Sequence, residues 1–127
     1  MDEYVFKIGE LILRCKKVIE REWELLSVVY DTGDGHMAHS GFLYNGDDID
    51  TVTTRIEGEP LLLSDTIKEF REKIFQDSGR KFKQLLVQME KKSGRIKIDF
   101  EFDNAQRWVF TPSKLKEIKE DLRPHFD

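Results

Sequence analysis

His36 and His39, with Asp31 and Asp34 upstream, are the residue types from which a zinc-like site is built. Their spacing works against it. Three residues apart on an extended strand sends the two imidazoles to opposite faces, whereas a shared ion needs them on one side. An enzymatic alternative would use either histidine as a base beside the nearby aspartates. The Asp47-Asp48-Ile49-Asp50 cluster supplies hard oxygen ligands but lacks the alternating series, ending in glutamate, that an EF-hand calcium loop requires. Cys15 lies within an apolar stripe, which suits a small buried side chain rather than an exposed thiolate. There is no GxSxG elbow, and Gly33 and Gly35 stand between acids where a bound phosphate would need amides and cations. The expectation is a protein with no catalytic residues, no metal and no cofactor.

What the residues do offer is a binding surface. Of 25 acids and 21 bases in the 127-residue chain, seven acids and a single base, Arg55, fall between Asp31 and Glu59, so eighteen acids and twenty bases remain elsewhere. The acidity is local, and a local negative field steers a basic partner and repels nucleic acid. A net charge of -4 and a pI near 5.5 exclude non-specific DNA or RNA binding, which depends on phosphate neutralisation by Lys and Arg. The candidate contacts in this segment are Tyr44, Asp47, Asp48, Asp50, Glu57 and Glu59.

The elements that position these groups follow from periodicity. Tyr4, Ile8, Leu11, Ile12, Cys15, Val18 and Ile19 recur at helical spacing and predict one amphipathic helix. Trp23 to Tyr30 is apolar at both parities from Leu25, as in a central strand covered on both faces. A second strand, His36 to Tyr44, ends at the Asn45-Gly46 turn signal, and Thr51 to Ile56 suits a short third strand. Ser64 or Asp65 caps a second helix with a stripe of Ile67, Phe70, Ile74 and Phe75, stopping before Ser78-Gly79.

Phe82 to Glu90, the turn Lys91 to Gly94, and the alternating run Arg95 to Asp103 predict an antiparallel hairpin in which Glu90 faces Arg95. Met89 then opposes Ile96, Val87 opposes Ile98 and Leu85 opposes Phe100, giving one apolar face that a one-residue slip would destroy. The other face pairs Gln88 with Lys97, Leu86 with Asp99, Gln84 with Glu101 and Phe82 with Asp103. On that face Phe82 and Leu86 are apolar anchors among the strand carboxylates Asp99, Glu101 and Asp103, either as an interface centre or as core beneath a covering helix. Gln106 to Phe110 suggests a last short strand, and Thr111-Pro112 opens a terminal helix with an edge of Leu115, Ile118 and Leu122 that Pro124 ends. The order predicts a single α+β domain over residues 1–127, an antiparallel sheet packed with N-terminal, central and C-terminal helices. One cysteine, an acidic N-terminus and no apolar run of membrane-spanning length place it in the cytoplasm, away from membranes.

The run Gly94-Arg-Ile-Lys-Ile-Asp-Phe-Glu-Phe-Asp103 resembles the second hairpin of the YezG-like immunity proteins. The first helix leading to Glu22-Trp23-Glu24 and an apolar strand, and the placement of Tyr44-Asn45, are similar to that family's opening. The likeness covers the chain to about Asp103. Phe82-Lys83 stand where family members often carry a tryptophan, and little likeness extends beyond Asn104. The resemblance implies a bacterial cytoplasmic immunity protein that binds and blocks the C-terminal domain of a cognate secreted or contact-delivered polymorphic toxin, such domains often being nucleases. The alternative is an acidic adaptor that docks a basic protein unrelated to toxins.

Overall fold

A computed structural model describes residues 2–32 and 37–126. Its centre is a five-stranded antiparallel sheet of β1 (Leu25–Asp31), β2 (Ala38–Asn45), β3 (Asp48–Val52), β4 (Gln84–Glu90) and β5 (Ile96–Glu101), in spatial order β3-β2-β1-β4-β5. The helices are α1 (Asp2–Leu13), the single turn α2 (Lys16–Ile19), α3 (Leu62–Ser78) and α4 (Leu115–Asp121). The architecture is α+β, and no helix among the described residues is long and apolar enough to cross a membrane.

β1 is the middle strand, and its seven residues alternate between two cores. Leu26, Val28 and Tyr30 pack with Leu43, Leu85 and Val87 beneath α1 and α3, where Ile8, Ile12, Ile67 and Phe70 close the larger core. Val29 faces the other way, with Phe42, Tyr44 and Leu86, and is covered by Trp108, Ile118 and Leu122. The sheet is therefore a middle layer, which explains the apolar residues at both parities of β1.

The helix expected to run unbroken to Ile19 is interrupted. α1 ends at Leu13, Cys15 takes an extended ψ of 135°, and Lys16 N–H bonds the Arg55 carbonyl. Cys15 and Val18 stay buried, but the bend leaves Ile19 exposed. α3 starts at Leu62, ahead of the expected Ser64 or Asp65 cap, because the Ile56–Glu59 and Glu59–Leu62 backbone turns already wind the chain. Ser64 Oγ donates to Leu61 O inside that first turn, while Gly79 ends the helix at a left-handed φ of 77°. β3 begins earlier than expected, at Asp48 immediately after the Gly46-Asp47 turn. Beyond Val52 the chain leaves the ladder so that Thr54 and Ile56 enter the helix-side core.

The β4–β5 register is the expected one, from Met89 opposite Ile96 to Gln84 opposite Glu101. Phe82 departs from it. Lys83 N–H donates to Glu101 O at 2.7 Å although Gln84 is the registered partner of Glu101, so two residues stand opposite one. This bulge shifts the parity of everything before it. Phe82 turns away from Leu86 and into the helix-side core, with ring centroids 5.4 Å from Phe100 and 6.1 Å from Phe70.

The segment from 104 to 114 forms no strand; it crosses the sheet's second face. The Gln84 side-chain amide takes the place of a ladder partner, donating to Trp108 O at 3.0 Å and accepting Trp108 N–H at 3.1 Å. The last carbonyls of a helix lack intrahelical donors. At the end of α4, Tyr44 OH donates to Lys119 O, while Ser27 Oγ and Gln88 Nε2 both donate to Leu122 O. Each buried polar side chain on this face thus meets a carbonyl that needs it, and among the described residues no buried side-chain N or O atom lacks a partner.

Candidate functional site: an acidic edge strand

The expected carboxylates fall into two sets at opposite sides of the molecule. β3 and β5 are the two edges of the sheet, roughly 19 Å apart at about 4.8 Å per strand. They also face opposite ways. Asp50 is registered with Leu43, whose side chain belongs to the helix-side core, whereas Asp99 is registered with Leu86 on the face covered by α4. No single surface unites the acidic segment with the hairpin.

Bases answer the hairpin carboxylates. Arg107 meets Glu101 at 3.2 Å and Asp99 at 3.7 Å, and Arg80 pairs with Asp103. Glu101 also accepts the backbone N–H groups of Asn104 and Asp103, which hold its carboxyl below the usual range and make it a clamp on the turn leaving β5. Between these acids there is no exposed apolar anchor among the described residues. Leu86 is buried beneath Trp108 and α4, and Phe82 lies on the far side in the aromatic core. Both are corrected from interface centre to core. Tyr44 is likewise buried, its ring under Arg123 at 4.9 Å.

Within the acidic segment, Glu59 pairs with Arg14 at 2.8 Å and Glu57 lies 3.9 Å from Lys16. Asp47, Asp48 and Asp50 differ. All three are exposed, and among the described residues none enters an ion pair within 4 Å or accepts a hydrogen bond through its side chain. Arg123, held by Glu120, feels the Asp47 charge without closing on it. The β2–β3 hairpin positions the group rigidly. Asn45 and Asp48 close a two-residue turn with Gly46 at φ 61°, which carries Asp47 at its tip, while Asp48 and Asp50 follow on one face of β3. Beside the turn runs a groove that no local pattern announces, lined by Trp23, Tyr44, Lys91, Lys92 and Arg123, with Lys91 over the Trp23 ring.

His39 Nε2 accepts the Thr54 N–H at 3.0 Å and its ring sits beside Tyr30, so that lone pair is engaged. His36 and Asp34 lie outside the described residues, among which no group of three His, Cys, Asp or Glu is placed to hold an ion. Cys15 donates to Leu11 O from within the core, and burial pushes its thiol up to about 11. Comparison of the chain with the models of known protein families and with curated proteins finds no match.

The His39 contact has a pH signature. Burial, then the Arg55 charge, lower its pKa from the ordinary 6.5. The unfolded chain therefore takes up this proton more readily than the folded one. The stability that His39 contributes is complete above about 6.5 and is lost as pH falls toward the folded pKa. A urea midpoint measured from pH 7.5 to 5 is expected to fall more steeply for the natural chain than for His39→Gln, whose amide oxygen can still accept the Thr54 N–H. Parallel curves would remove His39 as the cause.

Proposed function

We propose that this protein is a non-enzymatic immunity protein of the YezG-like kind, which captures the basic catalytic domain of a cognate bacterial toxin through Asp47, Asp48 and Asp50. One observation carries the reading: these three carboxylates stand exposed at a sheet edge and, among the described residues, close on no base, while every other acid expected to bind a partner is matched by Arg or Lys. A nuclease domain must present cations to phosphates, so a fixed row of carboxylates competes for the same groups. Rigidity keeps the ordering cost of binding low. Unneutralised charge raises the encounter rate, with steered associations reaching roughly 10⁸ per molar per second. The buried positions of Phe82, Leu86 and Tyr44 favour a contact at the β2–β3 edge.

Co-expression with the product of the neighbouring upstream gene tests the reading. Formation of a complex and protection of the host from that protein's toxicity support it, and the absence of both overturns it. A complex with a non-toxic basic protein would favour the adaptor instead. With a toxic partner in hand, changing Asp47, Asp48 and Asp50 together to Asn should slow association about tenfold at low salt and flatten its dependence on ionic strength, with the urea midpoint unchanged. An unaltered association rate would move the interface elsewhere.

A further inference from the structure

The two edges of the sheet are not equally protected. In β3 the turn-closing pair Asn45–Asp48 sets the phase of the ladder, so the backbones of Ile49 and Thr51 point outward. Arg21 Nη1 already donates to Thr51 O at 3.1 Å, and Asp48 and Asp50 would set acid against acid if two copies of this edge met. Charge and capping of this kind keep an edge from pairing.

β5 carries charges of both signs in place of acids alone, and among the described residues no side chain caps its outer backbone. Glu90 N–H donates to Arg95 O, which sets the phase so that Lys97 and Asp99 bond to β4 while the backbone groups of Ile96, Ile98 and Phe100 face outward. Among the described residues no side chain or neighbouring element bonds to those outward groups. The side chains of the same three residues are only partly buried against the helix-side core, so an apolar row runs along the open edge.

The order of charges on β5 is complementary to itself. From these features we propose that the protein pairs with a second copy along β5, antiparallel about a two-fold axis at Ile98, and joins two sheets into one. In that register the outward groups of Ile98 meet those of Ile98 in the second copy, and Ile96 meets Phe100, each forming a hydrogen-bonded pair. Lys97 lies opposite Asp99 twice, once on each side of the axis, in the closer non-hydrogen-bonded sites with Cα atoms about 4.5 Å apart. Both residues are exposed. Lys97 Nζ donates to the His125 carbonyl and lies 5.4 Å from the centroid of the Phe126 ring, and the Asp99 side chain, 3.7 Å from Arg107, is 55% exposed. Arg95 lies opposite Glu101. A register shifted by two residues would place Asp99 against Asp99, so the charge order selects one alignment. The acidic turn of each copy then lies at an outer end of the joined sheet, clear of the junction.

Light scattering on the full chain, from low micromolar to near-millimolar concentration, tests this. The natural protein is expected to reach twice its 15.0 kDa mass. Lys97→Asp and Asp99→Lys, each of which opposes like charges twice, should weaken the dimer about tenfold. Combining Lys97→Asp with Asp99→Lys should restore it, because the exchanged pair is again complementary. Far-UV circular dichroism confirms that each variant is folded. A natural chain that stays at 15.0 kDa throughout, single variants that dimerise like the natural chain, or a double variant that fails to recover would each overturn the proposal.

Discussion

Ending the chain at Asp103 is expected to abolish its cooperative fold. That truncation removes Trp108, Ile118 and Leu122 and uncovers Val29, Phe42, Tyr44 and Leu86, all now at most 6% exposed. At roughly 1.5–3 kcal/mol for each large side chain returned to water, the four together cost on the order of 6–12 kcal/mol. The whole stability of an ordinary domain is about 5–15 kcal/mol. The polar loss adds to it, because Gln84, Gln88 and Ser27 would lose the Trp108 and Leu122 backbone groups they now satisfy. The truncated chain should aggregate or bind a hydrophobic dye, without a cooperative urea transition. A soluble fragment with a cooperative transition near that of the full chain would mean that the C-terminal segment is an appendage.

Phe82→Ala is expected to cost about 3–5 kcal/mol, the usual range for deleting a fully buried phenylalanine. Its ring is inaccessible to solvent and packs with Phe70 and Phe100, and Tyr4 stacks on Phe70 at 5.3 Å to extend the cluster. Little relaxation is available. Phe70 is anchored in the middle of α3, and Phe100 is anchored by its register with Leu85. A residue at an interface behaves in the opposite way, because its removal weakens partner binding while leaving the free protein stable. Urea denaturation of the variant distinguishes the two. A stability loss below about 1 kcal/mol would return Phe82 to the surface. The Asp47, Asp48 and Asp50 triple variant should show the reverse profile, with slowed binding and unchanged stability.

Phe82 also shows why part of the site was illegible. Counting in twos from Leu86 places it on the acidic face, and the count fails only because Lys83 and Gln84 share Glu101 as a partner. Nothing in the local sequence marks that bulge, which carries neither glycine nor proline. Arg107 was equally hidden. Its bonds to Asp99 and Glu101 close across a turn whose path depends on the Gln84–Trp108 contact. The break after Leu13 has the same origin, since it lets Lys16 N–H reach a carbonyl 39 residues away, at Arg55.

Local pattern alone determined the order of the main helices and strands and the β4–β5 register from Met89 opposite Ile96 to Gln84 opposite Glu101, but not the break after Leu13 or the lack of a strand over 106–110. Alternation has a period of two and helices one of 3.6, so a turn of known length between two alternating runs leaves a single alignment that keeps apolar residues together. Local pattern also determined that negative charge gathers between Asp31 and Glu59. Only the tertiary structure decided which carboxylates remain open to a partner. Strand order sets β3 and β5 at opposite edges and on opposite faces, and the fold brings Arg80 to Asp103, Arg107 to Asp99 and Glu101, Arg14 to Glu59 and Lys16 to Glu57, while among the described residues no Arg or Lys comes within 4 Å of the Asp47, Asp48 or Asp50 carboxylates. Whether a charge is matched depends on distances in space, and separation along the chain does not encode them.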